Sequence, residues 1–581
     1  MADSANARKN SDAIAESGAS TAEDVETPLK GGDAPEEAVS HPPQGAALVY
    51  SPFQFTLLFI GLAISVFLTT LDQTIVAVAN PSIVTDFQTF AGLSWIGTAF
   101  FLGSIPLIPT YGKLADVFGR KPVFIGGILI FELGSLICGV AQNMNTLIVG
   151  RAVAGLGSGC IFPMTIVIIS DIVPIENRSR YQGIIGACFG LSSVVGPLSE
   201  YYENAITHVD AHKVSASVGG AFTDHLTWRW CFYINFPIGG VGILIVLFFL
   251  RLPPVTGSIK EKLGRVDYIG TFWLAAGTVL LVYAISAGGN DYPWKSALII
   301  SMIVVGAICL AVFALVETYV VKTPLIPFEL CKNRFVVACW SCAFLFGFCS
   351  YSLSYYVPIY FQVVNGNSAT EAGIHTIPLI LMVAVFSLTS GFLISFTGYT
   401  APFVHFGSAC IAIGSGLIST MSATSSLDKQ VGYLLLTGIG MGSTVQSINL
   451  NGQGSVHPRF IGMAISGWSF SQLAGGVFGI AISGTIFSNA LTGKLAAFVT
   501  SPELIQYIQD NPSKLQQSVQ TGTIPAELLQ PTVGAYTDSL ALVFRAIAGV
   551  ATALFIVSFL LRLQKFQRKE VVKADKGPGA A

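Results

Sequence analysis

The chain has 581 residues, of which 52% are hydrophobic and 11% charged, with 60 glycines and a formal net charge of −2. Soluble proteins carry about 25% charged residues, so a soluble multidomain enzyme is excluded, and the near-neutral balance offers nucleic acid nothing to bind. Few charges, many glycines and repeated apolar runs describe a polytopic α-helical membrane protein.

Residues 1–50 are rich in Ala, Ser, Glu, Asp, Gly and Pro. They read as a disordered cytosolic tail without the apolar core of a cleavable signal. A span needs about 20 apolar residues. Fourteen runs qualify in chain order: 56–78, 93–111, 123–141, 146–168, 181–198, 231–251, 267–287, 297–319, 336–358, 373–397, 402–420, 431–450, 464–487 and 541–561. An even number puts both tails on one side. Loops on that side hold Lys113, Arg120, Lys121, Arg178, Arg180, Arg251, Lys260 and Lys262, whereas the opposite loops hold few basic residues, such as Lys213, Arg229 and Lys295. The positive-inside rule therefore predicts cytosolic termini. The outward loop 488–540 contains a short amphipathic segment broken by Pro512.

The chain divides into a tail (1–50), a six-helix N-terminal half (51–251), a linker with two central helices (252–335), a six-helix C-terminal half (336–562) and a second tail (563–581). A weak repeat supports two halves. Gly112 and Gly119 are seven apart with Pro122 following; Gly391 and Gly398 are seven apart with Pro402 following. Repeated halves around a midplane site are a common transporter plan.

Three charges inside spans stand out. Asp72 costs about 2.5–3.5 kcal/mol on insertion scales and is a functional candidate; the alternative is a packing carboxylate bonded to Gln73 or Thr70. Arg151, in span four, keeps its proton and can bias a nearby carboxylate or order water, or snorkel to the surface. Glu132 reads as the partner of a basic group. Between spans two and three, "GKLADVFGRKP" crowds Gly112, Lys113, Asp116, Gly119, Arg120 and Lys121 onto one turn. Its cations can pair with acids or helix C-terminal carbonyls in an adjacent bundle and latch that face, or serve as anchoring alone. Substrate-cavity candidates are Gln73, Tyr351, Tyr355, Tyr356, Gln362, Gln446, Asn449, Trp468 and Gln472, because aromatics with a few polar groups suit amphiphilic organic ligands. Each alone also reads as an interhelical contact.

Of the ten cysteines, Cys339 and Cys342 have the spacing of half a metal or redox site but lack a second pair, so no metal is expected. No G-x4-G-K-[ST] occurs, so nothing cradles ATP phosphates and an ion gradient is the expected energy source.

"GKLADVFGRKP" resembles the signature loop of the major facilitator superfamily. "LDQTIVAVANP" (71–81) and "LIVGRAVAGLGSG" (147–159) resemble the first- and fourth-span motifs of its fourteen-span drug:proton antiporter branch, to which fungal-type multidrug and toxin efflux pumps belong. "WRWCFYINFPIGG" (228–240) and "YYVPIYFQVV" (355–364) are similar to further stretches of that branch. The resemblance implies an all-α major facilitator fold of two six-helix halves plus two inserted central helices. It implies a non-enzymatic, cofactor-free, monomeric transporter that exports small organic molecules against protons by alternating access, from the cell membrane or the vacuolar one. It assigns proton coupling to Asp72 and Arg151. Span five is similar to the branch's antiporter motif at Gly183, Gly196 and Pro197, with Ser192 in place of one glycine; simple close packing is the alternative. The motif's last pair, Gly219 and Gly220, follows residues 199–217, which read as a real insertion or as translated intron; in the latter case His208 and His212 ligate nothing. An importer of the same fold, for iron chelates or nutrients, is the runner-up function, and a non-transporting sensor a more distant one.

Overall fold

The structure is a computed structural model that describes residues 50–87, 93–206, 227–253, 255–289, 292–510, 515, 518, 524–563 and 565. The tails 1–49 and 566–581, most of the 199–217 segment with His208 and His212, Gly219, Gly220 and Pro512 lie outside the described residues. The N-terminal helices are α1 (Pro52–Phe87), α2 (Leu93–Ser104), α3 (Ile108–Phe118), α4 (Arg120–Gly139), α5 (Met144–Ile172), α6 (Ile175–Ile206), α7 (Trp230–Tyr233) and α8 (Asn235–Phe249). A short α9 (Ile259–Gly264) leads to α10 (Tyr268–Ala287) and α11 (Ala297–Tyr319). Then come α12 (Phe328–Lys332), α13 (Arg334–Val363), α14 (Ala369–Thr397), α15 (Ala401–Ile418), α16 (Leu427–Gly454), α17 (Ile461–Leu495), α18 (Pro502–Asp510) and α19 (Leu529–Ser558).

Helix starts follow local chemistry. The Asn143 side chain accepts from the backbone N–H of Thr146, and Ser258/Glu261 and Ser368/Glu371 form reciprocal capping boxes. Each satisfies amide donors that a first helical turn leaves free. Two runs expected as single spans are broken. Span two splits into α2 and α3 around Pro106, which offers no N–H. Span six splits into α7 and α8 because Pro237 offers no N–H to the carbonyl of Tyr233 and its ring crowds it.

All fourteen apolar runs fall on helices, and eleven helical segments among the described residues are long and apolar enough to cross a membrane. The rest fall short for visible reasons. The α2–α3 pair is interrupted, α6 carries Glu176, Arg178 and Arg180 in its first turns, and α16 is thick with Gly, Ser, Gln and Asn.

Two large apolar clusters hold the bundle. One joins Leu58, Phe100, Phe124, Phe131, Ile161, Met164 and Val246 of the N-terminal helices. The other joins Phe346, Leu353, Tyr360, Ile411, Leu434, Phe544 and Leu554 of the C-terminal helices. Between the two groups α6 packs along α14, and α3 crosses α17. Helices α10 and α11 pair with each other, and Leu298, Ile300, Val304, Ile308 and Leu315 of α11 point outward, as lipid-facing residues do. The loop 488–540 has its own core, in which Leu491, Leu495, Val499, Ile508 and Tyr536 pack together and the Tyr536 hydroxyl donates to the Ile508 carbonyl at 2.6 Å.

Candidate functional site

Span one carries Asp72 into the protein interior with no accessible surface, and α5 brings Arg151 to it at 2% exposure. Arg151 Nη1 donates to Asp72 Oδ2 at 2.5 Å, and Nε donates to the Ile96 carbonyl at 3.2 Å. The guanidinium lies 4.4 Å over the Phe100 ring. The other carboxylate oxygen, Asp72 Oδ1, accepts from Asn235 Nδ2 at 3.1 Å, and the same amide reaches Ser135 Oγ at 3.0 Å. Five helices, α1, α2, α4, α5 and α8, thus contribute to the network around one carboxylate. Removing one member of such a buried pair costs about 3–5 kcal/mol, because the survivor keeps an uncompensated charge. Asn235 escaped the sequence reading. Its signal was one amide in the apolar run "YINFPIGG", and its partner Asp72 is 163 positions away.

Glu132, expected to pair with a base, does not. Both carboxyl oxygens are buried and, among the described residues, neither has a hydrogen-bond partner. The reason is positional: Arg151 is committed to Asp72.

In front of the ion pair lies a cavity of about 130 Å³ between the two helix groups. Gln73, adjacent to Asp72, and Phe100, which stacks on Arg151, both form its wall. Tyr351, Gln446 and Gln472 line it from the other group. Gln446 Oε1 is buried and has no hydrogen-bond partner among the described residues, so an acceptor stands ready in the lining. The remaining candidates are elsewhere. Tyr355 is 52% exposed on the outside of α13; Tyr356 is buried and its hydroxyl donates to the Ile480 carbonyl. Asn449 accepts from Gln453 and Trp468 is buried in the C-terminal core; neither these nor Gln362 contributes to the lining. The sequence reading missed Phe101, Phe162 and Phe189, which give the cavity its apolar wall.

The charged turn is tied within its own helix group. Arg120 contacts Asp116 at 2.9 Å and Asp171 at 3.0 Å, and also donates to the Ala115 carbonyl. Lys121 Nζ donates to the carbonyls of Leu247 and Leu250 at the end of α8, at 2.6 and 3.0 Å. Burial lowers the Lys113 ammonium from its ordinary value, against the pull of Asp116, Glu317 and Asp267. The last two belong to the ends of α11 and α10, so this cation faces the central helix pair. Gly119 adopts φ +97°, a conformation that favours glycine. Gly112 is not in the turn at all. It lies inside α3, where a Cβ would run into Ser466 of α17.

Gly183 serves the same purpose on α6. An added Cβ would come within 2.7 Å of the Ser387 carbonyl oxygen and 3.4 Å of the Gly391 Cα on α14. Gly391 in turn abuts the Ser179 carbonyl, and Gly398, seven residues on, ends α14 at φ +77°. The 112/119 pair and the 391/398 pair therefore share a pattern, a glycine that lets its helix cross one of the other group and then a glycine at positive φ, although ψ is 154° at Gly119 and 1° at Gly398. Gly196 and Pro197 lie on the α6 helix, whose backbone runs to Ile206.

Comparisons with known proteins agree with this arrangement. The sequence model of the Major Facilitator Superfamily matches residues 62–202 and 214–480, and the break between them falls inside the 199–217 segment. The chain is 33% identical over 520 residues to the efflux pump bfoC of Aspergillus brasiliensis, covering 88% of each protein. It is 33% identical to the MFS-type transporter VdtG of Byssochlamys spectabilis (89% of this chain, 90% of the relative). It is 34% identical to the MFS-type efflux pump MFS1 of Trichophyton rubrum (86% and 89%). Its fold is similar to the human organic anion transporter MFSD10, with a TM-score of 0.54 at 15% identity, covering 87% of this chain and all of that one. A bacterial homologue of the lysosomal transporter Spinster gives a TM-score of 0.51 at 17% identity over 88% and 97%. The chain belongs to the major facilitator superfamily and is a multi-pass membrane transporter.

Proposed function

We propose that the protein exports small organic molecules in exchange for protons, by alternating access around the central cavity, with both termini cytosolic. The observation that carries this reading is the buried Asp72–Arg151 pair directly behind the cavity wall. Protonating Asp72 would release Arg151 from its one carboxylate contact among the described residues and loosen Phe100 and Gln73, so proton occupancy and cavity shape change together. The lining of Phe100, Phe101, Phe162, Phe189, Tyr351, Gln73, Gln446 and Gln472 suits an apolar or amphiphilic ligand with few hydrogen-bonding groups. Export is favoured over import by relatives named efflux pumps.

In this cycle Asp116, Arg120 and Lys121 hold the cytosolic ends of the N-terminal helices as one piece, and the α3–α17 and α6–α14 crossings part when the cavity opens inward. The two glycine pairs support a C-terminal half that repeats the N-terminal one, with α10 and α11 as the inserted helices. Proteoliposomes loaded with a panel of fluorescent organic compounds and given an imposed pH difference test the reading. Expected is movement of at least one compound that an uncoupler abolishes; movement insensitive to the uncoupler throughout the panel refutes proton coupling.

A further inference from the structure

We propose that Glu132 is a second proton-binding site of this transporter, neutral in the conformation described here. The inference deepens the proton-exchange reading and rests on it for its role in the cycle. It stands on the seam between α1, α4 and α8. Glu132 is 7% exposed, and neither carboxyl oxygen has a hydrogen-bond donor among the described residues. An ionised carboxylate in such a place is very costly unless paired, and the usual outcome is that it takes up a proton. Among the described residues its surroundings supply no free counter-charge. From α1 the ionisable group whose charge reaches it is Asp72, itself an acid. From α5 the cation is Arg151, engaged by Asp72. Helices α7 and α8 contribute Cys231, Tyr233 and Asn235 but no charged residue. The charges of α3 lie near Arg120, twelve residues and about 18 Å along α4 from Glu132.

A second observation shows that space is kept for this carboxyl. Gly239 of α8 faces it, and a Cβ at 239 would collide with Glu132 Oε1. Asn235, four residues earlier on α8, faces Asp72 and Ser135, and Ser135 is three residues after Glu132 on α4. One face of α8 therefore touches both acids. Asp72 is ion-paired with Arg151 and accepts from Asn235, and Glu132 beside it holds one proton. The cluster of Asp72, Arg151 and Glu132 is then neutral as a whole. When the seam parts and water enters, the Glu132 proton passes to water, and the cluster becomes singly negative.

The test titrates the purified full-length protein with protons alone, following the carbonyl stretch of protonated carboxylic acids by infrared difference spectroscopy. Wild type is expected to show such a band at neutral pH. Glu132→Gln, close to isosteric, removes the Glu132 contribution, whereas the Asp72→Asn/Arg151→Met double variant, which leaves no free cation beside Glu132, keeps it. Glu132→Asp, a shorter acid, restores a band at a shifted frequency, which shows that the lost signal was not lost folding. Potentiometric titration should count one fewer proton per Glu132→Gln molecule. A neutral-pH band undiminished in Glu132→Gln, or an unchanged proton count, overturns the proposal. Uncoupler-insensitive transport by wild type would instead remove the proton-exchange reading and the role in the cycle, while leaving the protonated Glu132 in place.

Discussion

Replacing Asp72 by Asn keeps the shape of the side chain and removes its charge. Arg151 would then be a buried cation, 2% exposed, with its remaining bond the Ile96 carbonyl at 3.2 Å. The new amide can accept from Arg151 or from Asn235 but not satisfy both, because its nitrogen is a donor. Leaving one charge of a buried pair alone costs about 3–5 kcal/mol. Removing both charges, as in Asp72→Asn with Arg151→Met, avoids that penalty, and the double variant should recover most of the loss; a coupling of about 3 kcal/mol is expected between the sites. Denaturant unfolding of purified wild type, the two single variants and the double variant measures this directly, and uncoupler-sensitive transport runs in parallel. Transport should be absent in all three variants, while stability returns only in the double. An Asp72→Asn protein as stable as wild type, or a double variant whose loss equals the sum of the singles, would refute the claim that this pair organises the site.

Three further outcomes follow from neighbouring geometry. Gly183→Ala forces a methyl against the Ser387 carbonyl and should cost about 1–3 kcal/mol, whereas Gly190→Ala meets only the Ala384 side chain at 3.0 Å and should cost less; thermal shift of the two variants compares them. Gln446→Leu removes the unpartnered acceptor from the cavity and should raise KM for a ligand carrying a donor by about two- to tenfold, the worth of one neutral hydrogen bond, with little effect on a ligand lacking one. The Asp86 carboxylate is held below its ordinary value by hydrogen bonds from Trp228 and Arg229. A depressed carboxylate stabilises the fold above its unfolded value, about 3.9, and that contribution fades as pH falls through the lower folded value. Trp228 fluorescence should therefore shift on acidification below about pH 4, and Asp86→Asn should show the shifted emission already at neutral pH.

Apolar runs placed the helices well because lipid leaves a backbone no other way to satisfy its hydrogen bonds. The breaks at Pro106 and Pro237 were less legible, since membrane helices also tolerate proline as a kink and neighbouring helices decide which occurs. The intramembrane charges were visible because charge in an apolar run is rare. Their partnerships were not: Asp72 meets Arg151 79 positions away, and nothing in the sequence showed that this would leave Glu132 alone. The cavity was half legible. Tyr355 and Tyr356 are consecutive and so point about 100° apart on a helix of 3.6 residues per turn. Trp468 is a plausible ligand-binding aromatic by type, yet α17 is apolar on every side and gives no hint of which face looks inward.

The α6–α14 crossing has a mechanical consequence. Its contact strip is built from Ser179, Gly183, Ser387 and Gly391, backbone lying close to backbone, with the Arg180 guanidinium stacked 4.9 Å over the Phe392 ring beside it. The hydrogen bonds across it are few: Ser387 Oγ to the Gly183 carbonyl at 3.3 Å and Ser395 Oγ to the Glu176 carbonyl at 3.0 Å. In the proposed cycle, sliding of these two rods would break one Arg180–Phe392 stack and two hydrogen bonds, which re-form on return. The strip therefore behaves as a bearing, and the resistance to turnover falls on whatever fills the cavity beside it.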